Sequence, residues 1–193
     1  MSTKTILSVA ASAAALCLCL PIKAQSLTGS QVTGAGYCCN SPSESDRVTL
    51  PRTATVGSTI EFPSGSFVTI DNQLATVPAN VDFGANTLEI NYTGTASALS
   101  GAFNGFVFSF AGGPAITGVS VDPSSTYFPV LSFNANTIFV NEAGFELTPA
   151  SRVLVNISAV PEPSSYALLV GGLALIGFAR RKARKGIQNR QKT

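Results

Sequence analysis

Gly105-Phe106-Val107-Phe108-Ser109-Phe110 is the stretch on which the reading of the fold turns. Three phenyl groups recur at every second position, the period of a β-strand, and Val107 falls on the opposite side. A strand that is apolar on one face and carries valine on the other reads as central, with both sides covered. The phenylalanine row could instead be an exposed platform for stacking sugars, but such rows usually pack inward. Tyr37, Tyr92 and Tyr127 are amphipathic and suit a platform better, although nothing in the sequence brings them together.

Outward from this strand the same signal repeats. Thr87 to Thr93 alternates Leu88, Ile90 and Tyr92 against Glu89 and Asn91. Ile116 to Val121, Tyr127 to Phe133, Thr137 to Val140, Gly144 to Leu147 and Val153 to Ile157 continue the series. Upstream, Ser58 to Phe62 and Ser66 to Ile70 flank the turn residues Pro63-Ser64-Gly65-Ser66, a predicted hairpin. Residues 25–47 form a Gly-, Ser- and Asn-rich lead-in with a first strand. No stretch of the body sustains a 3.6-residue period. Strands about every 8–12 residues, punctuated by Gly and Pro, predict an all-β fold: an antiparallel β-sandwich or jelly roll. The segment 25–160 is long enough for one such domain with a real core.

The two ends read differently. Lys4 precedes an apolar core from Ile6 to Leu20, Pro21 breaks it, and Ala24 offers a small residue before Gln25. This is the layout of a secretory signal peptide over residues 1–24, cleaved between Ala24 and Gln25; a short N-terminal membrane anchor is the competing reading. At the other end Pro161-Glu162-Pro163 leads into an apolar run from Tyr166 to Ala179, closed by Arg180-Arg181-Lys182. Such a run spans roughly 21 Å as a helix. A bilayer core is about 30 Å thick, so the expected transmembrane helix is short and marginal. A marginal anchor suits a segment that is held briefly and then removed. Residues 180–193 carry seven Lys or Arg and no acid, which keeps that end cytoplasmic and the body outside the inner membrane. Pro161 and Pro163 hold the hinge extended, the form a protease cleft binds.

Val160-Pro161-Glu162-Pro163-Ser164-Ser165, the Gly-containing Leu-rich run and the Arg180-Arg181 stop together resemble the PEP-CTERM sorting domain of Gram-negative bacteria. The resemblance implies an exosortase, a membrane-embedded cysteine transpeptidase-like enzyme, that recognises Pro161, Glu162 and Pro163. On that reading residues 161–185 are the sorting domain, with Arg180, Arg181 and Lys182 as its membrane stop, and residues 186–193 are a basic cytoplasmic tail. Both are removed as the body passes to the cell surface or extracellular matrix. The partners expected are the secretory translocon, the exosortase and, transiently, the inner membrane.

Charge is segregated along the chain. Residues 25–160 hold three arginines against nine acids, a net charge of −6, while the basic cluster sits at the membrane boundary. An acidic exported part disfavours a nucleic-acid partner. With Cys17 and Cys19 leaving in the signal, the body keeps only the adjacent pair Cys38-Cys39. That pair could close a disulfide ring, link two chains, or stay reduced.

The chain contains no histidine, which removes the commonest general base and every Ser-His-Asp or Cys-His arrangement. Two cysteines without histidine make a metal site improbable, and no cofactor is expected. Two carboxylate pairs, Glu61 with Asp71 and Asp82 with Glu89, could face each other as glycosidase acids, though solvated strand and turn acids are the plainer reading. Asp71, Asn72, Asp82 and Asp122 offer hard oxygen ligands for calcium but lack the dense spacing of a binding loop. The expectation is therefore an exported, non-catalytic protein of structural or adhesive role. A carbohydrate-binding module for exopolysaccharide and a secreted polysaccharide-acting enzyme are the alternatives.

Overall fold

The computed structural model describes residues 26–71, 75–160 and 172–173. The signal peptide with its Ala24–Gln25 cut, the motif Pro161-Glu162-Pro163 and the stop Arg180-Arg181-Lys182 lie outside the described residues. So does the apolar run from Tyr166 to Ala179, apart from Gly172 and Leu173. Among the described residues no helix is long and apolar enough to cross a membrane.

The strands are β1 (Gln31–Cys38), β2 (Arg52–Thr55), β3 (Ala79–Phe83), β4 (Thr87–Tyr92), β5 (Ala96–Ser97) and β6 (Asn104–Ala111). They continue with β7 (Ala115–Val121), β8 (Val130–Asn134), β9 (Thr137–Asn141), β10 (Glu146–Leu147) and β11 (Arg152–Val160). One sheet runs β2-β1-β6-β9-β8 and a second runs β3-β4-β11-β7, with β5 and β10 forming a short separate pair. Every pairing is antiparallel, so the all-β antiparallel expectation holds.

β6 is the middle strand of the larger sheet, and its alternation does what the sequence implied. Phe106, Phe108 and Phe110 point into a core shared by both sheets. On the other side Val107 joins Ala35, Tyr37 and Phe103 in a smaller cluster, with Phe139 packed against it. From the facing sheet, Phe83 of β3 meets the rings of Phe108 and Phe110 nearly edge-on, at centroid distances of 5.2 and 5.4 Å. Leu88, Ile90, Val153, Val155 and Ile157 fill the rest of that layer. Gly34 of β1 stands opposite Phe108 in register, and a Cβ there would lie 2.9 Å from the Phe108 ring and 3.1 Å from Phe67. The missing side chain is what lets both rings lie against β1.

The predicted hairpin around residues 63–66 is half right. The turn exists: Ser66 N donates to Pro63 O at 2.9 Å, with Gly65 at φ +89°. Its arms, however, pair elsewhere, Phe62 bridging Val81 and Val68 bridging Thr76. The cause is the two phenylalanines. Phe62 and Phe67 both sink into the shared core with ring centroids 5.2 Å apart. Each buried ring contributes about 1.5–3 kcal/mol, more than a short two-stranded ladder can offer.

Phe108 touches rings from both sheets and is fully buried. Phe108→Ala should therefore cost about 3–5 kcal/mol, read as a lowered urea midpoint at unchanged slope. A loss below about 1 kcal/mol would mean that this ring is not the pin between the layers.

Candidate functional site

The tyrosines do not form a surface platform. Tyr37, Tyr92 and Tyr127 are all buried, which corrects that expectation. Tyr92 and Tyr127 are nevertheless brought together, edge to face at 6.3 Å, by a residue that sequence reading passed over. Glu142, directly after β9, is almost inaccessible to solvent. Its Oε2 accepts from the Tyr92 hydroxyl at 2.7 Å and its Oε1 from the Tyr127 hydroxyl at 2.6 Å. Among the described residues it forms no ion pair. Burial lifts its pKa to about 7, with the two hydroxyl donors pulling the other way. Burial and the adjacent carboxylate in turn push both tyrosines far above their ordinary range.

Glu142 also lines a cavity of about 120 Å³ shared with Tyr92, Asn104 and Phe106. Among the described residues no second carboxylate lines it.

The carboxylate pairs named from sequence are placed differently from what a cleft would need. Glu61 is used structurally, its two oxygens accepting from the backbone N–H groups of Gly57 and Phe83 at 2.7 Å each. Asp71 is exposed. Asp82 and Glu89 do face each other, but as register partners on adjacent strands β3 and β4 rather than across the two layers. They alternate with buried Val81, Phe83, Leu88 and Ile90, which puts both on the outer face. Glu89 is taken by Arg152, whose Nε donates to it at 2.7 Å, and by Asn91 at 2.6 Å. The arginine bond holds its carboxyl below the ordinary range. Asp122 accepts from Ser124 N and Asn156 Nδ2. Asn72 of the calcium set lies outside the described residues, among which no three metal-ligating side chains converge.

A second concavity, of about 310 Å³, lies on the outer face of the five-stranded sheet. Phe103, Phe139, Val130 and Pro42 supply its apolar lining. Asn40 and Ser132 add polar side chains with no hydrogen bond among the described residues, and no charged residue lines it. One wall is a strap over residues 39–47 that is tied down at several points. Asp46 Oδ2 accepts from Ser41 N and Ser41 Oγ, and Tyr37 donates its hydroxyl to Glu44. At the head of the strap Cys38 and Cys39 are bonded to each other, with Cys39 at φ +92°.

From the last two residues of β11 onward, residues 159–185 match the family model of the PEP-CTERM protein-sorting motif. The chain thus carries the sorting segment that its Pro161-Glu162-Pro163 hinge and basic stop resemble, and this marks it as an exported protein sorted by an exosortase. No curated protein and no solved structure matches the chain.

The body's pH response should be traceable to one group. With its folded pKa raised above the unfolded value near 4.5, Glu142 contributes stability that is fully present below that value and lost as pH rises through about 7. The chain has no histidine to titrate in the same window. Unfolding free energy should fall by on the order of 3 kcal/mol between pH 5 and pH 8. Glu142→Gln should flatten that slope, and a slope unchanged in the variant would show that another group carries it.

Proposed function

We propose that this chain is a structural or adhesive, non-catalytic component of the cell surface or extracellular matrix. In this reading its body, residues 25–160, is a β-sandwich, cut free of its signal after Ala24 and of its sorting tail near Pro163. The observation that carries the proposal is the sorting segment at residues 159–185, attached to a body in whose described residues no three His, Cys, Asp or Glu side chains gather. Glu61, Glu89, Asp122 and Glu142 each spend their oxygens on local donors. Most glycoside hydrolases use two carboxyl groups facing one substrate.

Intact-mass analysis of the exported protein tests this directly. The expected chain begins near Gln25 and ends close to Pro163, and Glu162→Ala should hold the precursor in the inner membrane with Arg180 still attached. Surface material that retains Arg180, or normal release of the variant, would count against processing through the motif.

A second reading, binding of exopolysaccharide, is favoured by the outer-face groove and not by the tyrosines. Its phenyl lining can take the C–H face of a sugar ring, and the free Asn40 and Ser132 side chains can meet hydroxyl groups. The absence of charge in the lining points to neutral sugars. Calorimetric titration with a neutral β-glucan pentasaccharide should then give saturable heat that Phe139→Ala abolishes. Heat unaffected by that substitution would place any sugar binding elsewhere.

A further inference from the structure

The Cys38–Cys39 bond joins neighbours in sequence and so encloses no length of chain. A disulfide stabilises a fold by restricting the loop that it closes in the unfolded state, and here that contribution vanishes. The strand end is secured by other means. Cys38 stands opposite Asn104 in the β1–β6 ladder, and Cys39 N donates to Phe103 O at 2.8 Å. The bond can therefore open without unmaking the sheet, which sets it apart from a staple.

Its two sulfurs also sit in different surroundings. Cys39 is exposed and its sulfur takes part in no hydrogen bond among the described residues. Cys38 is half-buried, and Asn104 Nδ2 donates to its Sγ at 3.6 Å. In thiol–disulfide exchange the sulfur that better bears negative charge is the one that leaves, and the accessible one is attacked. Burial alone would disfavour a thiolate at Cys38, and the amide donor offsets that.

We propose that Cys38–Cys39 is a thiol–disulfide exchange site, with Cys39 Sγ attacked and Cys38 Sγ leaving. An external thiolate bonds to Cys39 Sγ as the Cys38–Cys39 bond breaks, and its electron pair passes to Cys38 Sγ as a thiolate beside Asn104. A second external thiolate then attacks the sulfur of the first, releasing a small-molecule disulfide and Cys39 as thiolate. Two electrons move from the thiols to the protein, and no other oxidant is needed. The class of partner is an exposed, uncharged or cationic thiol, because the body carries a net charge of −6. Opening the ring also frees Cys39 from its φ of +92°, a conformation that non-glycine residues leave when they can. Exchange thereby loosens the head of the strap that walls the outer-face groove.

Cysteamine, a cationic thiol, can be added to the folded exported protein and the reaction quenched with iodoacetamide. Fragment ions across the Cys38–Cys39 peptide bond then locate each adduct. The expected product carries cysteamine on Cys39 and carbamidomethyl on Cys38, favoured about tenfold over the reverse, equivalent to about 1.4 kcal/mol. Far-UV circular dichroism should stay unchanged. Asn104→Ala should bring the two orientations towards parity, an outcome that a purely structural asparagine would not produce. Cysteamine mainly on Cys38, an even mixture in the wild type, or a bond that yields only after unfolding would each overturn the assignment.

Discussion

The structure depends on one steric bargain, the seating of Phe108 over Gly34. The ring projects from the middle strand of the larger sheet and reaches Phe62, Phe106 and, from the opposite layer, Phe83. It fits because β1 presents glycine at the facing position. Any larger residue there would have to displace Phe108 or Phe67, and both are fully buried. The consequences reach the long segment between β2 and β3. It delivers Phe62 and Phe67 to the same aromatic cluster, and its pairing is confined to short bridges, Val68 with Thr76 and Phe62 with Val81. Aromatic packing, rather than strand pairing, decides the path of that segment.

A core so dominated by phenyl rings leaves little room for charge, and Glu142 shows how the exception is handled. Two tyrosine hydroxyls, one from β4 and one from the segment before β8, converge on its carboxylate. Neutral donors satisfy the oxygens but compensate only in part for lost hydration, so the proton is held more tightly than in water. The arrangement ties parts of the chain that lie 50 and 15 residues from Glu142. It does so with directional bonds, where additional apolar packing would supply attraction without fixing orientation.

Much of the strand layout was legible because it rests on local alternation. The inward row Phe106-Phe108-Phe110, the outward-facing Val107 and the alternation of Leu88, Ile90 and Tyr92 are period-2 patterns, and period 2 survives in almost any sheet. What could not be read depends on which strands meet. Asp82 and Glu89 are opposite each other only because β3 and β4 pair in that register. Glu142, followed by Ala143 and Gly144, carries no local signal of its own; its burial follows from Tyr92 and Tyr127 arriving from distant positions. The tyrosines themselves misled for the same reason, since amphipathic side chains serve a platform and a buried hydrogen-bond network equally well. The sorting segment was legible outright because the order and type of its residues suffice to match the motif, with no tertiary partner involved.

The body and its terminal segments solve opposite electrostatic problems. Among the described residues there are two ion pairs, Arg47–Glu44 and Arg152–Glu89. Much of the surface is knit instead by neutral or short-range bonds: Thr33 with Thr53, Ser64 with Thr93, and Ser41 with Asp46. Exposed ion pairs contribute little and are screened by salt, whereas hydroxyl and amide bonds are not. An exported domain meets ionic strength that the cell does not control, and this surface is suited to that condition. Residues 180–193 carry seven Lys or Arg and no acid, a concentration of one sign that the body avoids. The two kinds of charge are thus segregated along one chain: three arginines against nine acids in residues 25–160, and basic residues without acids in residues 180–193.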